Sequence, residues 1–199
     1  MTTPTGTDVS TSTDVRREPR GLAALLAVGG IVGLAASFTL TYDKLELLRN
    51  PDFVPSCDFG SVLSCSNIMK TSEAEVFGFP NSLLGLIGFS IIITLGVLLM
   101  AKIDFPEWVW AGLQVGLVFG ILAIHWLIIQ SLYGIGSLCP WCMVVWAVTI
   151  PIFLYVTIRN LRAWSPGNRV VEFLRNWHAL ILILWFIAIA AAIFFRFYA

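Results

Sequence analysis

The chain has 199 residues, of which 58% are hydrophobic and only 12% charged, with a formal net charge of zero. So much apolar chain leaves no room for a separate soluble domain and marks an integral membrane protein. Zero net charge says little about partners, because in such a protein the placement of charge matters more than its sum, and no nucleic-acid partner is expected.

The chain opens with MTTPTGTDVSTSTDVRREPR, rich in Thr and Ser and without apolar periodicity. Such a segment cannot bury enough surface to offset the entropy of ordering, so residues 1–20 are expected to form a disordered cytoplasmic tail. A cleaved signal peptide is the alternative, since Arg16 and Arg17 precede an apolar stretch and Ala35-Ala36-Ser37 resembles a cleavage site. Signal h-regions are shorter than this run, which favours a helix that stays in the membrane. A bilayer core about 30 Å thick needs roughly 20 apolar residues per helix. Windows of that size predict five spans, at about 21–42, 81–101, 108–132, 138–158 and 177–195.

The first two spans are joined by residues 43–80, longer than an ordinary connection and therefore read as a functional lid. Within it Val62, Cys65, Ile68 and Met69 recur at helical spacing, which predicts a short amphipathic helix with Cys65 toward the membrane. Cys57, behind Pro55 and beside Asp58, is expected on the wetter side. On the third span Gly112, Gly116 and Gly120 form a stripe read as an internal packing face. His125, in mid-span, is either a proton relay or a neutral side chain bonded to a neighbouring helix, and the second reading is favoured. Trp108, Trp110, Trp141 and Trp177 lie near span ends, as interfacial belts do. The fourth span opens with Cys-Pro-Trp-Cys, and Pro151 is expected to kink it further down.

Charge placement sets the expected topology. With a cytoplasmic N-terminus, Arg16, Arg17, Arg20, Lys102, Arg159, Arg162, Arg169 and Arg175 lie inside, against Lys44, Arg49, Lys70 and Arg196 outside. All four cysteines, Cys57, Cys65, Cys139 and Cys142, then fall on one oxidising, extracytoplasmic face. Cys139 sits in the first turn of the fourth span, where unpaired backbone N–H groups and the helix dipole favour a thiolate. Cys142 lies on the same side about 4.5 Å deeper by helical rise. Pro140 suits an early helical position, where its missing N–H is not needed.

Structural readings stand beside the redox one. A Cys-x-x-Cys disulfide closes so small a loop that it constrains little of the unfolded chain. A zinc ribbon normally offers two short-spaced pairs, whereas Cys57 and Cys65 are eight positions apart. Spacing and compartment together favour an inner and an outer redox dithiol with no bound metal.

CDFGSVLSC, then SNIMKT, FPNSLLG and CPWC at the head of a later span, resemble the vitamin K epoxide reductase family over roughly residues 21–159. The order of the pairs separates it from the DsbB-type quinone-linked oxidases, whose Cys-x-x-Cys comes first. The resemblance implies an all-α fold, a four-helix transmembrane bundle around a quinone site, to which this chain adds a fifth transmembrane helix. It implies that Cys142 reacts with a quinone of the menaquinone or ubiquinone type, that Cys139 exchanges with Cys65, and that Cys57 faces a protein partner. Thr71 matches the family's Ser/Thr near the active site, with a loop hydroxyl as the plainer reading. Asn81 matches its quinone-contacting Asn, with an N-cap as the plainer reading.

Trp146 stands where the vertebrate enzymes have an aromatic Tyr, a departure that tells against vitamin K epoxide reduction. Many bacterial relatives continue into a fused thioredoxin-like domain; here the sequence ends at Ala199, so a separate thioredoxin-fold, DsbA-like partner is expected. The expected function is transfer of electrons from that partner to a membrane quinone at the plasma membrane, driving disulfide formation in exported proteins. Reduction of a quinone epoxide, or a scaffold with structural disulfides, are the alternatives.

Overall fold

A computed structural model describes residues 20–60 and 62–198, and every structural statement below concerns these residues. The expected tail therefore lies, apart from Arg20, outside them. The elements run α1 (Arg20–Arg49), α2 (Cys65–Met69), a 3-10 turn (Ser72–Glu75), α3 (Ser82–Met100), α4 (Glu107–Ile129) continuing as a π-helical segment (Gln130–Ile135), α5 (Pro140–Trp164) and α6 (Arg169–Phe197). Five helices, α1 and α3 to α6, are long and apolar enough to cross a membrane. Helices such as α3, apolar on every side, are stable only where lipid or other helices surround them. The expected all-helical membrane fold is the one observed.

The tightest packing joins α1 to α3. A Cβ added at Gly96 would lie 2.5 Å from the backbone nitrogen of Ala27, and one at Gly30 would meet Ile93 at 2.6 Å. A Cβ at Gly33 would enter the Phe89 ring. These small residues let the two backbones approach closely where no hydrophobic drive separates helix from lipid. The expected stripe on α4 does not do this: Gly112 and Gly116 have no neighbour within 4 Å of a built Cβ, and Gly120 only touches Thr149 at 4.0 Å.

The turn between α3 and α4 is a Schellman motif. Ile103 N–H donates to Leu98 O and Lys102 N–H to Leu99 O, both at 3.0 Å, with Lys102 in the left-handed region at φ 63°. The same end of the bundle is fastened by Arg159 of α5, which pairs bidentately with Glu107 at 2.8 and 3.0 Å. Its guanidinium also stacks 4.1 Å from the Trp110 ring. Trp110 is only 2% exposed, so it is not the interfacial tryptophan its position suggested. Trp108, 75% exposed, fits that role.

α6 packs on the outside of the bundle. Trp185 Nε1 donates to His125 Nε2 at 2.9 Å, while His125 Nδ1 donates to Ile121 O at 2.8 Å. His125 is thus the helix-bonded histidine expected, with the tautomer assigned from its two partners. Arg196, near the end of α6, donates from Nε to Leu132 O at 2.8 Å in the π-helical segment, whose wider turn leaves carbonyls open to such a donor.

Several boundaries differ from expectation, among them the end of α5, which runs past residue 158 to Trp164, and the start of α6, at Arg169 rather than 177. α1 runs past Tyr42 to Arg49, so Asp43 and Lys44, placed by the sequence in the loop, are buried helical residues facing the lid. The Asp/Lys pair breaks the apolar run but not the helix, which carries both side chains under the lid, where Lys44 finds polar partners. α5 begins at Pro140, which makes Cys139 the N-cap rather than a first-turn residue.

The close α1–α3 contact gives a stability prediction. Gly96→Ala should lower stability by about 1–3 kcal/mol, as over-packing does, because its Cβ meets backbone that cannot swing aside. Gly116→Ala, with open space around it, should leave the thermal unfolding midpoint in detergent within a degree or two or raise it slightly. Equal behaviour of the two variants would contradict the packing.

Candidate active site

The site is built where the lid meets the start of α5. Leu63 and Leu138 form an isolated parallel bridge, in which Leu138 N–H donates to Val62 O at 2.7 Å and Ser64 N–H to Leu138 O at 3.0 Å. Asn67 Nδ2 donates to Ser137 Oγ at 3.1 Å beside it. Both chains turn into helices directly after this bridge. Ser64 caps α2 by accepting from Asn67 N–H at 3.2 Å, and Cys139 caps α5 by accepting from Cys142 N–H on Sγ at 3.4 Å. The first residue of one helix and the cap of the other are thereby held face to face.

The result is a sulfur cluster. Cys57 and Cys65 are joined in a disulfide with Cα atoms 5.8 Å apart, and Cys139 Sγ stands 3.0 Å from Cys65 Sγ. Cys139 and Cys142 are free thiols. The sulfurs of Cys57, Cys65 and Cys139 lie within 4.8 Å of one another. Such a trio could ligate a soft metal as thiolates, but the Cys57–Cys65 bond occupies two of its members in this oxidation state.

Burial is the main departure from expectation. Cys65, expected to face the membrane, is 0% exposed, and Cys57, expected on the wet side, is only 2% exposed. Leu47, Ile68 and Met69 enclose the disulfide, with Phe53 and Trp141 packed around them. The lid is held down by Lys44 of α1, whose Nζ donates to Met69 O at 2.6 Å and pairs with Glu75 at 2.8 Å. The sequence signal for this clamp was a lone Asp-Lys pair at the end of an apolar run; burying it is affordable only with partners, which nothing in the linear sequence identifies.

Electrostatics favour a nucleophilic Cys139. Hydrogen bonding from the Cys142 thiol, and from the backbone N–H groups of Cys142 and Trp141, holds the Cys139 thiol below its ordinary range against the opposing effect of burial. Asp58, next to Cys57 in sequence, is pushed up by partial burial. Donors from Ser66, Ser64 and the Cys65 backbone outweigh this and hold it below the usual carboxylate range, so it stays ionised. Its Oδ1 accepts from Ser66 N–H at 3.1 Å, fixing the start of α2.

The remaining expected site residues are placed less directly. Thr71 Oγ1 donates to Ile68 O at 2.9 Å, closing the turn after α2. Asn81 occupies the N-cap position of α3 but makes no side-chain cap bond. Its Nδ2 instead donates to Glu73 O at 2.7 Å and its Oδ1 accepts from Val76 N–H at 3.3 Å, which anchors the lid's return to the bundle. The N-cap reading of its side chain is thus replaced by a lid anchor. Trp146 is buried in the apolar cluster that adjoins Cys142 and Met143 and includes Ile121 and Ile124. No hydrogen bond among the described residues joins Thr71 or Asn81 to Cys142.

What this arrangement does chemically is thiol–disulfide exchange. A free, activated thiol touches one sulfur of a disulfide, and a second thiol stands one helical turn deeper. The family model described as the vitamin K epoxide reductase family matches residues 24–157, about two-thirds of the chain and all four cysteines. The chain belongs to the vitamin K epoxide reductase family. No curated protein matches it. This family member is a membrane thiol oxidoreductase whose redox cysteines the structure brings to one end of the bundle, with α6 entirely outside the matched region.

The clamp generates a test. Lys44→Met removes a charged donor from Met69 O and Glu75, interactions of a kind worth about 1.5–3 kcal/mol, and should open the lid roughly ten- to a hundred-fold more often. Reduction of Cys57–Cys65 by a water-soluble phosphine should accelerate by that factor. An unchanged rate would mean that the lid is held by other contacts.

Proposed function

We propose that the protein carries electrons from the dithiol of an exported thioredoxin-fold, DsbA-like partner to a membrane quinone, with its cysteines on the extracytoplasmic side of the plasma membrane. The observation that carries this reading is the 3.0 Å approach of Cys139 Sγ to the Cys57–Cys65 disulfide. It supports a relay in which an outer pair meets protein and an inner pair meets the bilayer.

The steps follow from exchange chemistry. A partner thiolate attacks Cys57 and releases Cys65; the partner's second thiol resolves the adduct, leaving the loop pair reduced and the partner oxidised. Cys65 then attacks Cys139 of an oxidised inner pair, releasing Cys142, and Cys57 attacks Cys65 to restore the loop disulfide. A bound quinone supplies a two-electron, two-proton acceptor for the inner pair. The wall around Cys142, with Met143, Trp146, Ile121 and Ile124, is apolar and aromatic, as a quinone ring requires. Asn81 retains one amide hydrogen beyond those used on the lid, enough for a single bond to a quinone carbonyl. Thr71 shapes the same turn. The side of the membrane rests on the excess of Lys and Arg at the opposite helix ends.

Purified protein in liposomes, given menaquinone or ubiquinone and a reduced thioredoxin-fold partner, should reduce the quinone. A partner lacking its resolving cysteine should become trapped on Cys57, and Cys57→Ser should abolish the adduct. Cys65→Ser should stop partner-driven quinone reduction. A partner peptide joined chiefly to Cys139 with Cys57 dispensable, or no quinone reduction at all, would overturn the proposal.

A further inference from the structure

One buried ionisable group at the sulfur cluster has no part in the relay described above. Asp43 is 4% exposed and points from α1 toward the lid, with Oδ2 4.0 Å from Cys57 Sγ, the outer limit for a hydrogen bond to sulfur. Among the described residues this is the only side chain within hydrogen-bond distance of its carboxylate, its sulfur has a hydrogen to donate only once the Cys57–Cys65 bond is reduced, and no ion pair includes Asp43. Lys44, its neighbour in sequence, is turned away to Met69 O and Glu75. The other charged or titratable groups that act on this corner are Asp58 from the lid and Cys139 from α5. A carboxylate left beside a disulfide with no cation is costly to bury, so its retention calls for a use.

We infer that Asp43 is a further catalytic residue, the proton acceptor and donor for Cys57 during exchange. The inference rests on the relay proposed above and adds a base to it. In the regenerating step the Cys57 thiol attacks Cys65 in the Cys65–Cys139 mixed disulfide. The Cys57–Cys65 bond forms, the Cys65–Cys139 bond breaks, Asp43 takes the Cys57 proton, and Cys139 leaves as a thiolate received by the Cys142 thiol and N–H. Cys57 is oxidised and Cys139 is reduced; the oxidant is the mixed disulfide itself. In the partner step Asp43 returns a proton to Cys57 as the partner's second thiol displaces it. The need for such a group follows from burial: Cys57 is enclosed under the lid, where bulk water cannot take its proton during attack.

The consequence is a distinctive pH dependence. Without a local base, the attack requires Cys57 thiolate, and its rate should rise about tenfold per pH unit below the ordinary thiol pKa near 8.5. With Asp43 as the proton acceptor, the attack no longer waits on free Cys57 thiolate, so the rate should be nearly flat from about pH 6 to 8. Fully reduced protein is mixed with excess quinone, quenched in acid at intervals and alkylated, and the Cys65–Cys139 and Cys57–Cys65 species are quantified by mass spectrometry. A parallel series uses diamide as oxidant, so the exchange is read whether or not a quinone oxidises the inner pair. A silent quinone series beside an active diamide series would reject quinone linkage and leave the role of Asp43 measurable.

The wild type should convert the mixed disulfide at a nearly pH-independent rate. Asp43→Asn, which keeps shape and polarity but cannot accept a proton, should convert it roughly a hundredfold more slowly at pH 6.5, accumulate the mixed species, and approach the wild type toward pH 9. Asp43→Glu should recover part of the rate and the flat profile. A tenfold-per-unit slope in the wild type overturns the inference, and this holds even where Asp43→Asn does not fold. A folded Asp43→Asn protein with the wild-type profile overturns it as well.

Discussion

Everything at the active end of this molecule depends on one register: the Leu63–Leu138 bridge. Two backbone hydrogen bonds are a small interaction, yet they set which residues begin the two helices that follow. Because Cys65 opens α2 and Cys139 caps α5, the register fixes their sulfurs 3.0 Å apart. A shift by one residue on either chain would turn one cysteine away, since side chains alternate along an extended segment. The neighbouring contacts, Asn67 to Ser137 and Asp58 to Ser66, resist such a shift.

The bundle below serves this register by being stiff. Glycines bring α1 and α3 into near backbone contact, and the Arg159–Glu107 pair ties α5 to α4 at the far end. α6 adds two polar ties from outside, Trp185 to His125 and Arg196 to Leu132, and the second lands on the π-helical segment that leads to the Leu138 bridge. Hydrogen bonds of this kind hold firmly in surroundings without competing water, and they give α6 a part in holding Cys139 in place. The lid itself is kept closed by Lys44 and by the Asn81 amide, so the outer disulfide is shielded from solvent until the clamp opens.

The sequence made the large features legible for simple reasons. Spans are read from length and hydropathy because lipid demands continuous apolar helices. The helical spacing of Cys65, Ile68 and Met69 marked α2, and the tight Cys139–Cys142 spacing marked a redox pair. What it did not reveal depends on contacts between distant segments. Cys57 sits beside a charged residue and reads as exposed, but Asp58 is satisfied by the start of α2 and Cys57 is covered by Leu47 and Phe53. Asp43 and Lys44 read as loop residues because their partners, Cys57, Met69 and Glu75, are known only once the lid has folded back. The α4 glycines read as a packing face by spacing alone, whereas the glycines that pack are irregularly spaced and complementary across two helices.

The central claim is that the outer and inner cysteine pairs exchange directly through Cys65 and Cys139. It is tested most directly in the Cys57→Ser, Cys142→Ser double variant, which leaves those two thiols alone. Mild oxidation of the membrane-embedded protein should join them in a single intramolecular disulfide, rapidly and to near completion, as read by alkylation and mass spectrometry. Two free thiols persisting under those conditions, or disulfides forming between separate molecules instead, would contradict it.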